Sequence, residues 1–539
     1  MKFAVTFGVL LIALSAASAE PAEETSLAIV SAIKEEGLRN SHVMAYAQVL
    51  NDELGARLTG SPQFDRAAQW AVNELAKAGV AAHTEDGGPF GLAWTHLRTE
   101  LALLGDSPAT YAAQATPWSP GLAAAVEAPV VLVPELKDTQ DFAAWRGKLR
   151  GRIVLYGLPP ANDPDVIPGM VEITPQALKR AEQRRIMEKS NRESNIAWAR
   201  QAMFNFDVAR FFASEGALAV VRTNGSGKTF TNDDGTTMGF NVYRPDRRQA
   251  LPSVVMEADG YGRLARMATG PKPPSLRLDI QVWSGRADAR VVNVIGELAA
   301  SDHRMRDQVV MVGAHLDSWT AGTGATDDGA AVAIQLEALR ILKAIGYRPR
   351  RPIRIAFWGG EEQGDLGSRA YVANHLAIVT GRGDPADVPD DLRVAKGYRA
   401  LTGYRNVSAY FNMDAGGGRI LGLSTGGNDG AARVFRQWLE SVTDLGVSAL
   451  LPGNPQGVDL WSFAEVGIPA FSFTQDLRDY DSRTHHTNLD VYERLSEHDM
   501  KQAATALAVL LYHAGNDDRP LPRIWPKPVT SDPVAGQER

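Results

Sequence analysis

Apolar positions along the chain change their spacing partway through. From Ser26 to Leu104 they recur largely at helical intervals, most clearly at 45–54 and 64–76, on either side of the turn Arg57-Leu-Thr-Gly-Ser-Pro62. Ser61 is placed to cap the second of these helices, and Pro62 suits its first turn, where the missing N–H has no helical partner to lose. Further on, the pattern becomes one of short unbroken apolar runs at 309–312, 353–358, 407–413 and 470–474. Their lack of alternation and their β-branched content predict strands buried on both faces of a parallel sheet. Residues 330–342 follow the first run with helical period and propensity. The expected fold is α/β, a mixed, mostly parallel sheet with helices on both faces.

The middle of the chain reads differently. Short strands at 129–134, 151–157, 215–221 and 251–256 are punctuated by Gly and Pro, and no reactive cluster accompanies them. Between them runs a charged helical excursion, 174–212, best read as a solvated face. The expected organisation is a larger domain at 20–120 and 286–515, interrupted by a β-rich module at 121–285. A Pro-rich, polar tail at 516–539 is expected to be disordered from Pro520 onward. Residues 1–19 combine Lys2, a short apolar stretch and the ending Ala17-Ser-Ala19, the signature of a secretory signal cleaved before Glu20. Its apolar part is shorter than the ~20 residues a membrane span needs. Export to a periplasm or the medium is expected, with no membrane attachment after cleavage.

Composition narrows the chemistry. The 539 residues include no cysteine, so thiol catalysis, disulfides and cysteine-held zinc are excluded, and any metal must be bound through nitrogen and oxygen. A formal charge of −7 without a basic cluster argues against nucleic acid as a partner. The oligomeric state is left open, a homodimer being one option.

Each late strand runs into potential metal ligands. The first ends at His315-Leu-Asp317 and is followed by a Gly-rich loop with Asp327-Asp328; the second meets Glu361-Glu362; the third meets Asp414; the fourth leads to Asp476 and a loop with His485-His486. Singly, each has an ordinary structural explanation, such as a capped turn or a helix-dipole carboxylate. Together they fall at the same, carboxyl end of four predicted strands, where open α/β sheets bind ligands. His315, Asp327, Glu362, Asp414 and His486 make a plausible set for two divalent ions sharing a water, with zinc favoured and cobalt or manganese also suited. Glu361 is then free to act as general base, and Asp317 is placed to accept the second ring N–H of His315.

These motifs, with Gly364, Gly367-Ser368, Asn412-Met-Asp414 and His486-Thr-x-x-Asp490, resemble the co-catalytic di-zinc exopeptidase family. That family includes secreted bacterial aminopeptidases and plasma glutamate carboxypeptidase (carboxypeptidase Q). The resemblance covers about 26–120 and 286–515. It implies one zinc held by His315 and Asp414, the other by Glu362 and His486, with Asp327 bridging and Glu361 as base. It also implies that 121–285 is an inserted protease-associated domain, although the helical excursion is longer than such a domain usually needs. Where many members carry Tyr before the last His ligand, this chain has His485, as in the plasma glutamate carboxypeptidase branch. His485 is therefore expected to donate a hydrogen bond to the oxyanion.

Acidic residues at the expected site end (Asp317, Asp328, Asp365, Asp476, Asp479, Asp481) outnumber Arg369, Arg478 and Arg483. That favours substrates with a free ammonium, hence an aminopeptidase or dipeptidase acting on short peptides, with a carboxypeptidase as the alternative. Gly422-Leu-Ser424-Thr-Gly426 imitates a nucleophile elbow, but Gly426-Gly427-Asn-Asp-Gly430 delays the helix that must follow one. Asn224-Gly-Ser-Gly-Lys-Thr229 imitates a phosphate loop with Arg222 where its first glycine belongs. A non-catalytic, receptor-like descendant of the fold would be expected to have lost ligands that are present here.

Overall fold

The four unbroken apolar runs become neighbours. A computed structural model describes residues 20–159, 173–183, 192–223, 241–383, 393, 395–453 and 458–523. The expected signal at 1–19, the loop at 224–229 and residues 524–539 lie outside these. The strands Ile353–Trp358, Val309–His315, Val407–Asn412 and Ala470–Gln475 stand side by side in that order, all parallel. Every residue of Val309–His315 is buried, so the sequence there has no polar face to alternate with. Val310, Val312 and Ala314 enter one hydrophobic cluster, and Val309 and Met311 enter another on the opposite face. Ala289–Leu298 and Ala81–Gly91 extend the sheet antiparallel at one edge, and Ile420–Ser424 and Ala449–Leu451 complete it at the other. The result is a mixed eight-stranded sheet with helices on both faces.

The helix Ala330–Ala344 is buried from Ala330 through Leu339 and packs beneath Glu497–Asn516. Its buried Glu337 is partnered by Arg340 at 2.8 Å and by the His42 N–H at 3.1 Å, as a carboxylate removed from water requires. Ser61 caps Pro62–Lys77, its hydroxyl accepting the Phe64 N–H at 3.1 Å.

A second eight-stranded sheet carries the middle of the chain. Val126–Val133, Ile153–Tyr156, Ala219–Thr223 and Ser253–Met256 pair parallel and in sequence order, flanked by the helices Arg192–Ser214 and Ala258–Ala268. This unit is itself α/β rather than simply β-rich. Its limits also differ from the expected 121–285, because Trp94–Leu103, Ala109–Tyr111 and Ala113–Ala115 already belong to it. Helical character was expected through Leu104 but stops at Lys77. Ala81–Gly91 is an edge strand with mostly solvated side chains, so the apolar alternation that marks a half-buried strand is missing there. Leu58, Phe90, Ala289, Val291 and Trp319 join the core of this second sheet, and Phe90 stacks on Tyr243 at 4.4 Å.

The tail also departs from expectation. Leu521 is buried, and the Arg523 guanidinium donates to the carbonyls of Tyr404 and Val407, so packing continues to the last described residue. Among the described residues, no helix is long and apolar enough to cross a membrane.

Candidate metal centre

Three of the parallel strands bring residues at or just past their ends to one place, and the loop after the fourth completes it. His315 closes its strand. The chain then turns through Gly324, at φ +68°, where a side chain would strike Ser318. That turn brings Asp327 and Asp328 back beneath the sheet end, both buried. Glu361 and Glu362 follow Gly359-Gly360, and Asp414 follows Met413. After Ala470–Gln475, the helical turn Tyr480–Thr484 presents His485 and His486, the latter at φ +59°.

Asp327 lies at the centre. Its Oδ1 is 3.1 Å from His315 Nε2, which in turn is 3.8 Å from Asp414 Oδ1. Its Oδ2 is 3.3 Å from His486 Nε2, which is 3.0 Å from Glu362 Oε2. One carboxylate thus faces two imidazole–carboxylate pairs, one with each oxygen. The ligating atoms of His315, Asp327 and Asp414 all lie within 4.8 Å of one another, as do those of Asp327, His485 and His486.

Neighbouring groups hold this arrangement. His315 Nδ1 is 2.9 Å from the carbonyl oxygen of Asp317, and a carbonyl only accepts, so Nδ1 carries the proton and Nε2 faces Asp327. The expected acceptor was the Asp317 carboxylate, but its nearer oxygen is 3.7 Å away. That carboxylate instead accepts from Thr59 Oγ1 at 3.0 Å and the Glu361 N–H at 3.3 Å, tying the loop of the base to the strand of the histidine. Asp490 accepts from the N–H and hydroxyl of Thr326, at 2.6 and 2.7 Å, and from the Asp327 N–H at 3.2 Å. Asp328 accepts the His315 N–H at 3.2 Å.

Electrostatics follow from crowding. Burial pushes Glu361 well above the usual carboxylate range, and Asp414, Asp365 and Glu362 add to the push. Glu362 is raised to about 7, chiefly by burial. Burial alone would lower His315, but Asp317, Asp327 and Asp414 hold it well above the ordinary imidazole value. Burial would raise Asp327, and His315 and His486 instead hold it well below. Asp327 Oδ2, Asp328 Oδ1 and Glu362 Oε1 are buried with no hydrogen-bond donor among the described residues. Carboxylates crowded together in that state would be stabilised in their charged form by cations, and a nitrogen and oxygen donor set of this kind fits divalent metal.

Part of the chain is similar to known proteins. The family model described as Peptidase family M28 matches residues 293–511. Over those residues the chain is similar to peptidase family M28. Mouse (Mus musculus) carboxypeptidase Q is 27% identical over 294 residues, 53% of this chain and 56% of the relative. The chain therefore spans little more than half the length of that relative. A peptidase M28 precursor from Shewanella amazonensis SB2B superposes with a TM-score of 0.65 at 22% identity, covering 94% of this chain and all of the other. A zinc aminopeptidase from Bacillus subtilis superposes at 0.54 and 18% identity, covering 90% of this chain and 98% of the other. At those identities, the structural likenesses speak for the fold.

The M28 region contains His315, Asp317, Asp327, Glu361, Glu362, Asp414, His485 and His486, and the structure gathers all eight. His485 is half-exposed, with Nε2 3.8 Å from Asp327 Oδ2 and its ring 3.8 Å from that of His486. Other residues at the site gave no clear signal in the sequence. Arg57, fully buried, donates to the carbonyls of Leu50, Gly55, Leu316, Thr323 and Gly324, stitching the loops on both sides of the His315–Asp327 segment to the N-terminal helices. Its position in a Leu-Thr-Gly-Ser-Pro turn was the only hint. Trp319 stands 6.0 Å from His486, and the buried ring of Tyr480 lies 4.9 Å from that of His485. Ser424 is no elbow: its hydroxyl accepts from the Ser472 N–H at 3.0 Å and donates to the Ser472 carbonyl at 3.2 Å, and the following helix begins at Asp429. Several charges counted towards substrate polarity are engaged elsewhere, Arg478 with Asp499 at 2.6 Å and Asp365 with Arg369 at 3.2 Å.

Proposed function

We propose that this protein is an exported exopeptidase that cleaves short peptides, with two zinc ions held by His315, Asp327, Glu362, Asp414 and His486. The observation that carries this reading is the placement of Asp327, each of whose oxygens faces a separate imidazole–carboxylate pair. His315 and Asp414 would hold one ion, Glu362 and His486 the other, and Asp327 would bridge; cobalt or manganese would also fit these donors. Bound there, the ions supply Lewis acidity for a scissile carbonyl and for a water. Glu361 takes the water's proton and returns it to the leaving amine. Burial and the surrounding carboxylates raise its affinity for a proton, and cations bound beside it would offset that push and leave it ionised to accept one. Asp317 fixes the Glu361 loop through the Glu361 N–H, while its carbonyl fixes the His315 tautomer. His485, beside Asp327, is placed to donate to the developing oxyanion.

A free amino terminus is the favoured substrate end, in line with the acidic residues around the site. The similarity to carboxypeptidase Q supports the second reading, a carboxypeptidase, through relatives that include the mouse protein. Purified protein is expected to contain two zinc equivalents, to hydrolyse unblocked dipeptides and amino-acid arylamides, and to lose activity on chelation. Hydrolysis of N-acetylated peptides with a free carboxyl end, and none of unblocked dipeptides, would turn the assignment to a carboxypeptidase. Full activity after exhaustive metal removal would end the metallopeptidase reading.

A further inference from the structure

The helical excursion in the middle of the chain reaches out of its own unit. The chain leaves the second sheet after Ile153–Tyr156 and rejoins it at Ala219–Thr223. Between these strands, the helix Pro175–Gln183 packs on Ala449–Leu451, the outermost strand of the first sheet. A hydrogen bond fixes each end of the segment. The Ile173 N–H donates to Asp476 Oδ1 at 3.4 Å, and the Leu450 N–H donates to Glu182 Oε1 at 3.0 Å. Asp476 follows Ala470–Gln475 directly and opens the loop that carries Tyr480, His485 and His486. The segment therefore begins at the sheet end where the metal ligands gather and runs back along the sheet edge. The helix Arg192–Ser214 then returns the chain, burying Val208, Phe211 and Phe212 with Val154 and Tyr156 of the second sheet.

The same unit meets the site at a second point. Gln114 donates to Thr320 Oγ1 at 3.2 Å, and Trp118 lies 6.0 Å from Trp319, which stands against His486. Thr320 follows the His315 strand and Asp476 follows Ala470–Gln475. The two contacts thus lie on either side of the strand that delivers Asp414.

We propose that residues 173–183 form a strap beside the cleft that limits the length of peptide the site accepts. This rests on the exopeptidase reading and adds to it the element that sets substrate length. An extended peptide advances about 3.3 Å per residue, so a chain running from the site towards the Ala449–Leu451 edge meets the strap within a few residues of the cleaved bond. A dipeptide ends before it. A longer peptide must displace the strap, whose hydrogen bond from the Leu450 N–H to Glu182 is exposed and so of the kind that opens readily.

The test compares wild type with Glu182→Ala and with a variant whose residues 175–183 are replaced by a Gly-Ser sequence of equal length. kcat/KM is measured on unblocked alanine peptides from two to six residues long. Wild type is expected to prefer the dipeptide. The replacement should raise the hexapeptide-to-dipeptide ratio by about tenfold, and Glu182→Ala should raise it by about twofold or more, with dipeptide turnover retained in both. An unchanged ratio, or a parallel fall for all lengths, would overturn the strap and leave the segment as a brace. If the replacement fails to fold, the ratio for Glu182→Ala decides alone. Absence of turnover by wild type on every peptide would instead count against the exopeptidase reading.

Discussion

At the scale of single residues, Glu361 and Glu362 are adjacent in sequence but have different surroundings. Glu362 lies 3.0 Å from His486, while Glu361 is held through its backbone by Asp317. Glu361→Gln is therefore expected to keep its metal and lose at least about 10²-fold in kcat, read by metal analysis alongside steady-state kinetics. Glu362→Gln should lose metal; the opposite pattern would reverse the two roles. His485 Nε2 lies 3.8 Å from Asp327, and the Tyr480 ring packs against that of His485, so the phenol is the alternative oxyanion donor to test. If His485 is the donor, His485→Ala lowers kcat with little change in KM, and Tyr480→Phe does not; the reverse would move the role to the phenol. Arg57 acts on the scaffold. Burial lowers its pKa to about 10, which leaves it charged at neutral pH, and Arg57→Met strands five carbonyls at once. A loss of roughly 3–5 kcal/mol in unfolding free energy is expected, measured by denaturant titration.

At the scale of elements, the site exists because parallel strands end together and short loops are pinned behind them. Gly324 and Asp490 show the second half of that statement, one by its positive φ and the other by three hydrogen bonds into the loop of Asp327. The last helix, Glu497–Asn516, offers a test far from the metal ligands. Its His513 Nε2 is 2.7 Å from Ser441 Oγ, whose own proton goes to the Trp438 carbonyl, so Nε2 donates. A helix C-terminus and Asp517 both favour an imidazolium, yet burial outweighs them and lowers His513 to about 4. The folded protein thus resists a proton that the unfolded chain accepts below about 6.5. Stability should fall as the pH drops from about 6.5 towards 4, and His513→Gln should flatten that part of the profile in thermal melts. Equal slopes for the two proteins would show that His513 does not contribute.

At the scale of the molecule, metal bound by the proposed ligands would be coupled to the fold, because those residues come from four strands and their loops. Chelation should lower the melting temperature and zinc should restore it; ligand at a thousandfold excess over its Kd contributes about 4 kcal/mol. A melting temperature indifferent to chelation would mean that the carboxylates are balanced without metal. The parallel core of the first sheet and the meeting of His, Asp and Glu at its strand ends were legible in the sequence, because fully buried strands have no solvent face and because those residues stand where the strands stop. The edge strand Ala81–Gly91 was not legible, since its solvated side chains carry no hydrophobic alternation. The early strands of the second sheet were missed for a related reason, because their partners lie far along the chain, as Trp94–Leu103 with Ser275–Ser284. Local pattern thus determined which residues are buried and which residue types meet at the strand ends. Only the tertiary structure decided that a backbone carbonyl takes the His315 proton, that Arg57 is buried among five carbonyls, and that Pro175–Gln183 lies against the first sheet. The last two join segments distant in sequence and the first turns on a backbone carbonyl, and neither backbone groups nor a solvated helix leave a mark on the order of side chains.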